Sequence, residues 1–289
     1  MVRERQKKFL NIAHRGARSL APENTLIAGK KAYEAGADMW EFDVQLTADR
    51  ELVVVHDRTL NRTTNAEEVF PDRTNYRVDS FDLTEIKQLD AGSWFEAEDP
   101  FGEINRGNVS PAELQDFLGM KIPSLSEVLK LIKDLGWKAN VELKPLEGPA
   151  ATVENLASVM LRELLRLIKS LDMVDDVLVS SFDHSMVREL RKLNPDLTGA
   201  LLQKEAIARP VEYLDANDVK ILNLSASALE TDRGFNNIRE VDRAGEEYGV
   251  NVWTVNDPGK MKEAVSNKYL DGLITDYPAR LSGIIAGQR

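Results

Sequence analysis

Short apolar runs alternate along this chain with segments of helical apolar spacing, and that alternation limits the possible folds more than any other feature. Eight runs read as barrel-type strands: Phe9–Ala13, Met39–Leu46, Trp137–Leu143, Asp176–Phe182, Leu197–Leu202, Val219–Leu224, Val250–Asn256 and Asp271–Thr275. A further β-branched run, Glu51–His56, is predicted to pair with the second as a hairpin arm. Helical patterns fill the intervals: a helix capped by Asn24 and ending near Gly36, then Ser124–Leu135, Ala150–Leu171, Ser185–Leu193, Pro210–Ala216, Ile238–Tyr248, Lys260–Lys268 and a last one after Pro278. Parallel strands need crossover connections of this length. The prediction is an α/β fold, a closed (β/α)₈ TIM barrel, with residues 1–289 forming a single domain. An open doubly wound sheet is the alternative; it is weakened because no glycine-rich nucleotide fingerprint follows the first strand.

One stretch breaks the rhythm. Residues 58–122 carry turn residues and scattered charge, but also seven of the chain's 19 aromatics, too many for a disordered linker. The expectation is a small folded cap, inserted after the second strand's hairpin and lying over the barrel mouth, where it shapes substrate choice.

Two kinds of residue suited to phosphate-ester chemistry fall close together. His14 ends the first strand and His56 ends the hairpin arm; a pair of imidazoles can move protons near neutral pH. Glu41 and Asp43 lie two apart within Met39-Trp40-Glu41-Phe42-Asp43-Val44, so they share one strand face while Trp40, Phe42 and Val44 take the other. Neighbouring carboxylates losing hydration at the edge of a core call for a cation, and a hard divalent ion suits them. The expected chemistry is metal-assisted cleavage of a phosphate ester.

Bulk properties agree. A formal net charge of −11 and a pI near 5.0 argue against nucleic acid or an anionic membrane as partner, so an anionic substrate must be drawn by local charge. Cysteine is absent, which removes disulfides and thiol nucleophiles. No apolar run reaches the ~20 residues of a membrane helix, and Met1–Lys8 is charged rather than apolar; a cytoplasmic protein is expected.

Read together, Ile12-Ala13-His14-Arg15-Gly16, Pro22-Glu23-Asn24-Thr25, Glu41-Phe42-Asp43-Val44-Gln45 and His56-Asp57 resemble the glycerophosphodiester phosphodiesterase family. The resemblance continues through Leu89-Asp90-Ala91-Gly92-Ser93-Trp94-Phe95, Ile122-Pro123-Ser124-Leu125, Val141-Glu142-Leu143-Lys144, Ser181-Phe182, Trp253-Thr254-Val255-Asn256 and Asp271-Gly272-Leu273-Ile274-Thr275-Asp276, covering about 9–280. It implies a (β/α)₈ barrel with an inserted cap. It also implies metal-dependent hydrolysis of glycerophosphodiesters, such as glycerophosphocholine or glycerophosphoethanolamine, to sn-glycerol 3-phosphate and an alcohol. His14 and His56 would share general acid and base duties, with the assignment open.

Glu142, at the end of the third strand, would add a third oxygen ligand to Glu41 and Asp43 around one Mg²⁺ or Ca²⁺, with Mn²⁺ as a further option. Arg15 and Lys144 would bind phosphate, and Trp253 would pack on the glycerol or close the pocket floor. With these two cations and a dication, three carboxylates leave a local charge of about +1 facing the diester. The attacking oxygen is either water or the glycerol 2-hydroxyl, the internal hydroxyl being favoured by proximity. A lysophospholipase D or sphingomyelinase D-like action on lysophospholipids is the alternative, and a non-catalytic glycerophosphodiester-binding protein the alternative of a different class. Of the remaining candidates, Asp57 either orients His56 or lies in an exposed loop; Glu23 reads as a structural hydrogen-bonder beneath the site, Asp276 as the cap of the last helix and His184 as a surface residue.

Overall fold

The computed structural model describes residues 8–288; the charged start of the chain lies outside the described residues. Among the described residues there are nine strands: β1 Leu10–His14, β2 Met39–Leu46, β3 Leu52–Val54, β4 Lys138–Leu143, β5 Val177–Ser181, β6 Thr198–Gln203, β7 Ile221–Ser225, β8 Gly249–Trp253 and β9 Gly272–Thr275. β1 pairs in parallel with both β2 and β9, so eight strands close into a barrel; β3 lies outside the ring, antiparallel to β2. This is the expected TIM barrel, with the hairpin arm where the β-branched run placed it.

Alternation along β2 divides two environments. Trp40, Phe42 and Val44 point outward into the core beneath the helices, where Leu125, Val128, Leu129 and Ile132 of the helix Leu125–Asp134 also bury. That helix reads clearly because Ser124 and Glu127 form a reciprocal cap at its start. Glu41 and Asp43 take the inner face. Below them Ile12, Met39, Leu178, Ala200 and Ile274 fill the barrel interior, a packed floor rather than a pore.

Three local expectations need correction. Thr25, not Asn24, caps the first helix, Leu26–Glu34: the Thr25 hydroxyl accepts from the Ala28 N–H. Asn24 is left-handed (φ 57°), and its side-chain amide instead donates to Asp43 Oδ2 at 2.8 Å. The helix placed at Ile238–Tyr248 spans Asp232–Ala244, because Thr231 caps it at Gly234, where any Cβ would sit 1.9 Å from the Ala228 carbonyl oxygen. Gly234 thus serves close packing within a helix, not a break. Finally, Tyr277 occupies the cap position of the last helix, Pro278–Gly287, leaving Asp276 for another use.

Between β3 and β4 the chain forms short helices at Ala66–Val69, Leu83–Ile86, Trp94–Glu98 and Pro111–Phe117. They enclose two small cores shared with the barrel, one around Leu60, Phe81, Ile86 and Leu89 with Val53 of β3, another around Phe95, Val109 and Phe117 with Ala28 of the first helix. Phe101 reaches the barrel, its ring 5.8 Å from that of Tyr277, the cap residue of the last helix. Among the described residues no helix is long and apolar enough to cross a membrane.

Candidate active site

Register assembles the site at the C-terminal ends of β1, β2 and β4. His14 is level with Glu41 across the β1–β2 pair, and Asp43 is level with Glu142 across β2–β4. Oxygens of Glu41, Asp43 and Glu142 lie within 4.8 Å of one another, all three buried. Gly16 makes the exit from β1 possible: it is left-handed (φ 88°), and a Cβ there would lie 2.6 Å from the Ala28 carbonyl carbon.

His56 reaches the same place from the arm. The Val55 N–H donates to the Asp43 carbonyl, and the Gln45 amide donates to the carbonyls of Val55, His56 and Asp57 at 3.0, 3.0 and 2.6 Å. A loop with all three carbonyls held by one buried side chain is a rigid mount for an imidazole.

Three carboxylates this close cannot be equally ionised. Burial, with the charges of Asp43 and Glu142 beside it, pushes the Glu41 carboxyl well above the usual range. Burial and Asp43 likewise raise Glu142, despite Lys144. Burial would raise Asp43 too, but Arg15 and Lys144 hold its carboxyl far below the ordinary range. Lys144 Nζ lies 2.7 Å from Glu142 Oε1 and 3.3 Å from Asp43 Oδ1. Arg15 Nε lies 3.2 Å from Asp43 Oδ2, and its backbone N–H donates to Glu41 Oε2. Glu41 Oε1, like Arg15 Nε, is buried and has no hydrogen-bond partner. An orphaned oxygen within a set of three hard carboxylate donors fits a metal ion, and the cluster could hold one.

Each histidine has a carboxylate on Nδ1. His14 Nδ1 lies 2.6 Å from Asp276 Oδ1, and His56 Nδ1 lies 2.6 Å from Asp57 Oδ1. Burial lowers the His14 pKa below its ordinary value even with Asp276 beside it. Burial opposes ionisation of Asp276 as well, but His14 and Arg18 bring it down to about 2. Asp57 therefore does orient its neighbour, and Asp276, read from sequence as a helix cap, is the equivalent partner of His14.

Sequence reading placed His14, Arg15, Glu41, Asp43, His56, Glu142 and Lys144, and the fold brings all seven together. Trp253 stands apart on β8: its ring packs edge-on against Phe182 at 5.5 Å and its Nε1 donates to the Asn223 carbonyl. His184 is half-buried rather than a free surface residue, hydrogen-bonded to the Leu202 carbonyl and the Tyr213 hydroxyl. Arg18 and Arg62 were missed. Arg18 reaches Glu23 and Asp276, and Arg62 reaches Glu23 and Asp57. The expected local excess of +1 changes accordingly. Six carboxylates meet three arginines and one lysine, so a dication brings the formal balance to zero; Arg15 is shared with the buried Glu23.

Comparison with known proteins agrees with this arrangement. The model of the glycerophosphoryl diester phosphodiesterase family matches residues 14–280. A glycerophosphodiester phosphodiesterase of Caldanaerobacter subterraneus is 35% identical over 280 residues, covering 96% of this chain and 98% of the relative. Among solved structures, one from Silicibacter pomeroyi is 25% identical with a TM-score of 0.80 and covers 99% of this chain and 96% of its own. A phosphodiesterase from Oleispira antarctica, solved with its product sn-glycerol-3-phosphate, is 26% identical with a TM-score of 0.74 over 95% of this chain and 96% of its own. The chain belongs to the glycerophosphoryl diester phosphodiesterase family.

Proposed function

We propose that this enzyme hydrolyses glycerophosphodiesters such as glycerophosphocholine or glycerophosphoethanolamine to sn-glycerol 3-phosphate and an alcohol, with His14 and His56 as its acid–base pair. The observation that carries this reading is the pair of imidazoles, each with Nδ1 against a carboxylate, beside one buried three-carboxylate cluster. With Nδ1 occupied, Nε2 is the nitrogen that each ring offers to substrate.

Glu41, Asp43 and Glu142 would hold one Mg²⁺ or Ca²⁺, with Mn²⁺ as a further option. A bound dication supplies neutralisation of charge growing on the phosphoryl oxygens. Lys144 and Arg15 would hold the phosphate, which their positions beside Asp43 support. One imidazole takes the proton from the attacking oxygen, and the other returns one to the departing alkoxide. The attacking oxygen is the glycerol 2-hydroxyl, giving a cyclic phosphate that water then opens, or water directly; the internal hydroxyl has the proximity advantage. Trp253 would wall the glycerol side. Residues 58–122 would form a cap inserted in a single barrel domain; Phe101 resting on Tyr277 supports that reading.

The test is a coupled assay for glycerol 3-phosphate release from glycerophosphocholine, with chelated enzyme and with added Mg²⁺, Mn²⁺ or Ca²⁺. Release that requires a dication is expected; full activity after exhaustive chelation overturns the metal role. A parallel assay with a lysophospholipid separates the leading substrate class from its alternative, and ³¹P detection of a cyclic phosphate identifies the internal hydroxyl.

A further inference from the structure

The acid–base reading leaves one buried carboxylate without a task. The Glu23 side chain is 2% exposed and meets three arginines. Its Oε1 accepts from Arg15 Nη1 at 3.0 Å and Arg62 Nη2 at 2.6 Å; its Oε2 accepts from Arg18 Nε at 2.7 Å and Arg62 Nη1 at 3.3 Å. That uses the ≈ four acceptor sites of a carboxylate. Two of these arginines continue outward to the carboxylates that hold the histidines. Arg18 Nη1 lies 3.5 Å from Asp276 Oδ1, the oxygen that meets His14 Nδ1. Arg62 Nε lies 2.5 Å from Asp57 Oδ2, and its Nη2 lies 3.1 Å from the Oδ1 that meets His56 Nδ1.

We propose that Glu23 is a positioning residue for both imidazoles at once, fixing Asp276 through Arg18 and Asp57 through Arg62. This rests on His14 and His56 being the acid–base pair. Seven groups form one path: His14, Asp276, Arg18, Glu23, Arg62, Asp57, His56. Along it carboxylates and guanidiniums alternate, so every charge between the two rings has opposite neighbours. A guanidinium behind each aspartate lowers that carboxylate's basicity, which leaves the Nδ1 proton on the imidazole and Nε2 towards substrate. Without the Glu23 charge, Arg18 and Arg62 lose their common anchor, and both aspartates lose the geometry that sets the rings. Aromatic side chains of the 58–122 segment steady the same two arginines: Arg18 lies 5.3 Å from the Phe101 ring centroid and Arg62 5.8 Å from that of Trp94. A purely structural carboxylate would not need arginines that also reach the two histidine partners.

The experiment uses the full chain with Glu23→Gln, Arg18→Gln and Arg62→Gln. Kinetics are measured on glycerophosphocholine and on the p-nitrophenyl ester of glycerol 3-phosphate, and imidazole Nδ1–H resonances are recorded by NMR in metal-free protein. Glu23→Gln is expected to lower kcat on glycerophosphocholine about 10–100-fold with KM little changed, and to shift both imidazole resonances. Arg18→Gln should move only the His14 resonance and Arg62→Gln only that of His56. Nitrophenolate leaves without a proton, so the arginine variant serving the general acid recovers most of its loss on that ester, and the other does not. This also assigns acid and base. If Glu23→Gln does not fold, the two arginine variants carry the test alone. Unshifted resonances, or wild-type kcat in Glu23→Gln while His14→Ala and His56→Ala are inactive, overturn this inference alone. Active histidine variants overturn the underlying acid–base reading instead.

Discussion

The inner wall of the barrel has two unlike sides. Where β1, β2 and β4 end, with β9 and the arm beside them, it presents His14, Glu41, Asp43, Glu142, His56 and Asp276. Along β5, β7 and β8 it presents Ser180, Asn223, Asn251 and Trp253, tied by neutral hydrogen bonds such as Asn251 Nδ2 to Asn223 Oδ1 at 3.0 Å and Ser180 Oγ to Asn140 Oδ1 at 2.9 Å. Both sides are largely buried, and each leaves a few polar atoms unpaired, Glu41 Oε1 on one and Asn223 Nδ2 and Asn251 Oδ1 on the other. They differ in what satisfies them. Ionic groups in alternating sign respond to pH and to a bound cation; amides do not titrate and respond to neither, although losing one still leaves its buried partner unpaired. On the proposed mechanism, chemistry belongs to the first side and the second supplies shape.

Substitutions can break that contrast or sharpen it. His14→Ala or His56→Ala should reduce kcat by ~10²–10⁴ while the melting temperature shows a folded protein; a wild-type rate removes that residue from the mechanism. Mg²⁺ at a hundred times its Kd should stabilise the protein by about 2.7 kcal/mol, read as a rise in Tm, and Glu41→Gln should abolish the rise. Asp276→Asn should cost ~10–100-fold in kcat with less effect on KM.

The pH response separates the sides as well. The Asp276 carboxyl lies at about 2 in the fold against 3.8 in an unfolded chain. Its contribution to stability is therefore present above pH ~3.8 and lost as pH falls through ~2, about 2 kcal/mol in all. Asp276→Asn should flatten the fall in Tm over that window, and Asn223→Ala should leave its slope unchanged. Smallest of all, Asn223→Ala should leave kcat within about twofold, since no charge is removed; a large loss there would mean that the amide side takes part in the reaction.

The barrel was legible because its signals are local: apolar runs of strand length, reciprocal caps such as Ser124 with Glu127, and the period-two pattern of β2. Motif residues were legible for the same reason, since His14, Glu41 and Asp43 mark strand ends or faces. What escaped depends on distant partners. Asp276 precedes Tyr277-Pro278, a local pattern that reads as a cap, yet it faces a histidine 262 positions away. Arg62 looks like a loop cation until folding sets it beside Glu23, 39 positions away. Asn24 was misread because the residue after it caps the helix equally well. The helix expected at Ile238–Tyr248 begins six residues earlier, at Asp232, because nothing in the sequence around Gly234 reveals the Ala228 carbonyl it packs against.

The seam between β1 and β9 has a consequence for how the enzyme comes to life. β1 can meet β2 early in synthesis but meets its other neighbour only after β9 has been made, and the Asp276 that orients His14 follows β9 directly. A growing chain thus already contains every proposed metal ligand, both imidazoles and the phosphate-binding cations while its catalytic geometry is unfinished. Competence should arrive abruptly, once β9 closes the ring.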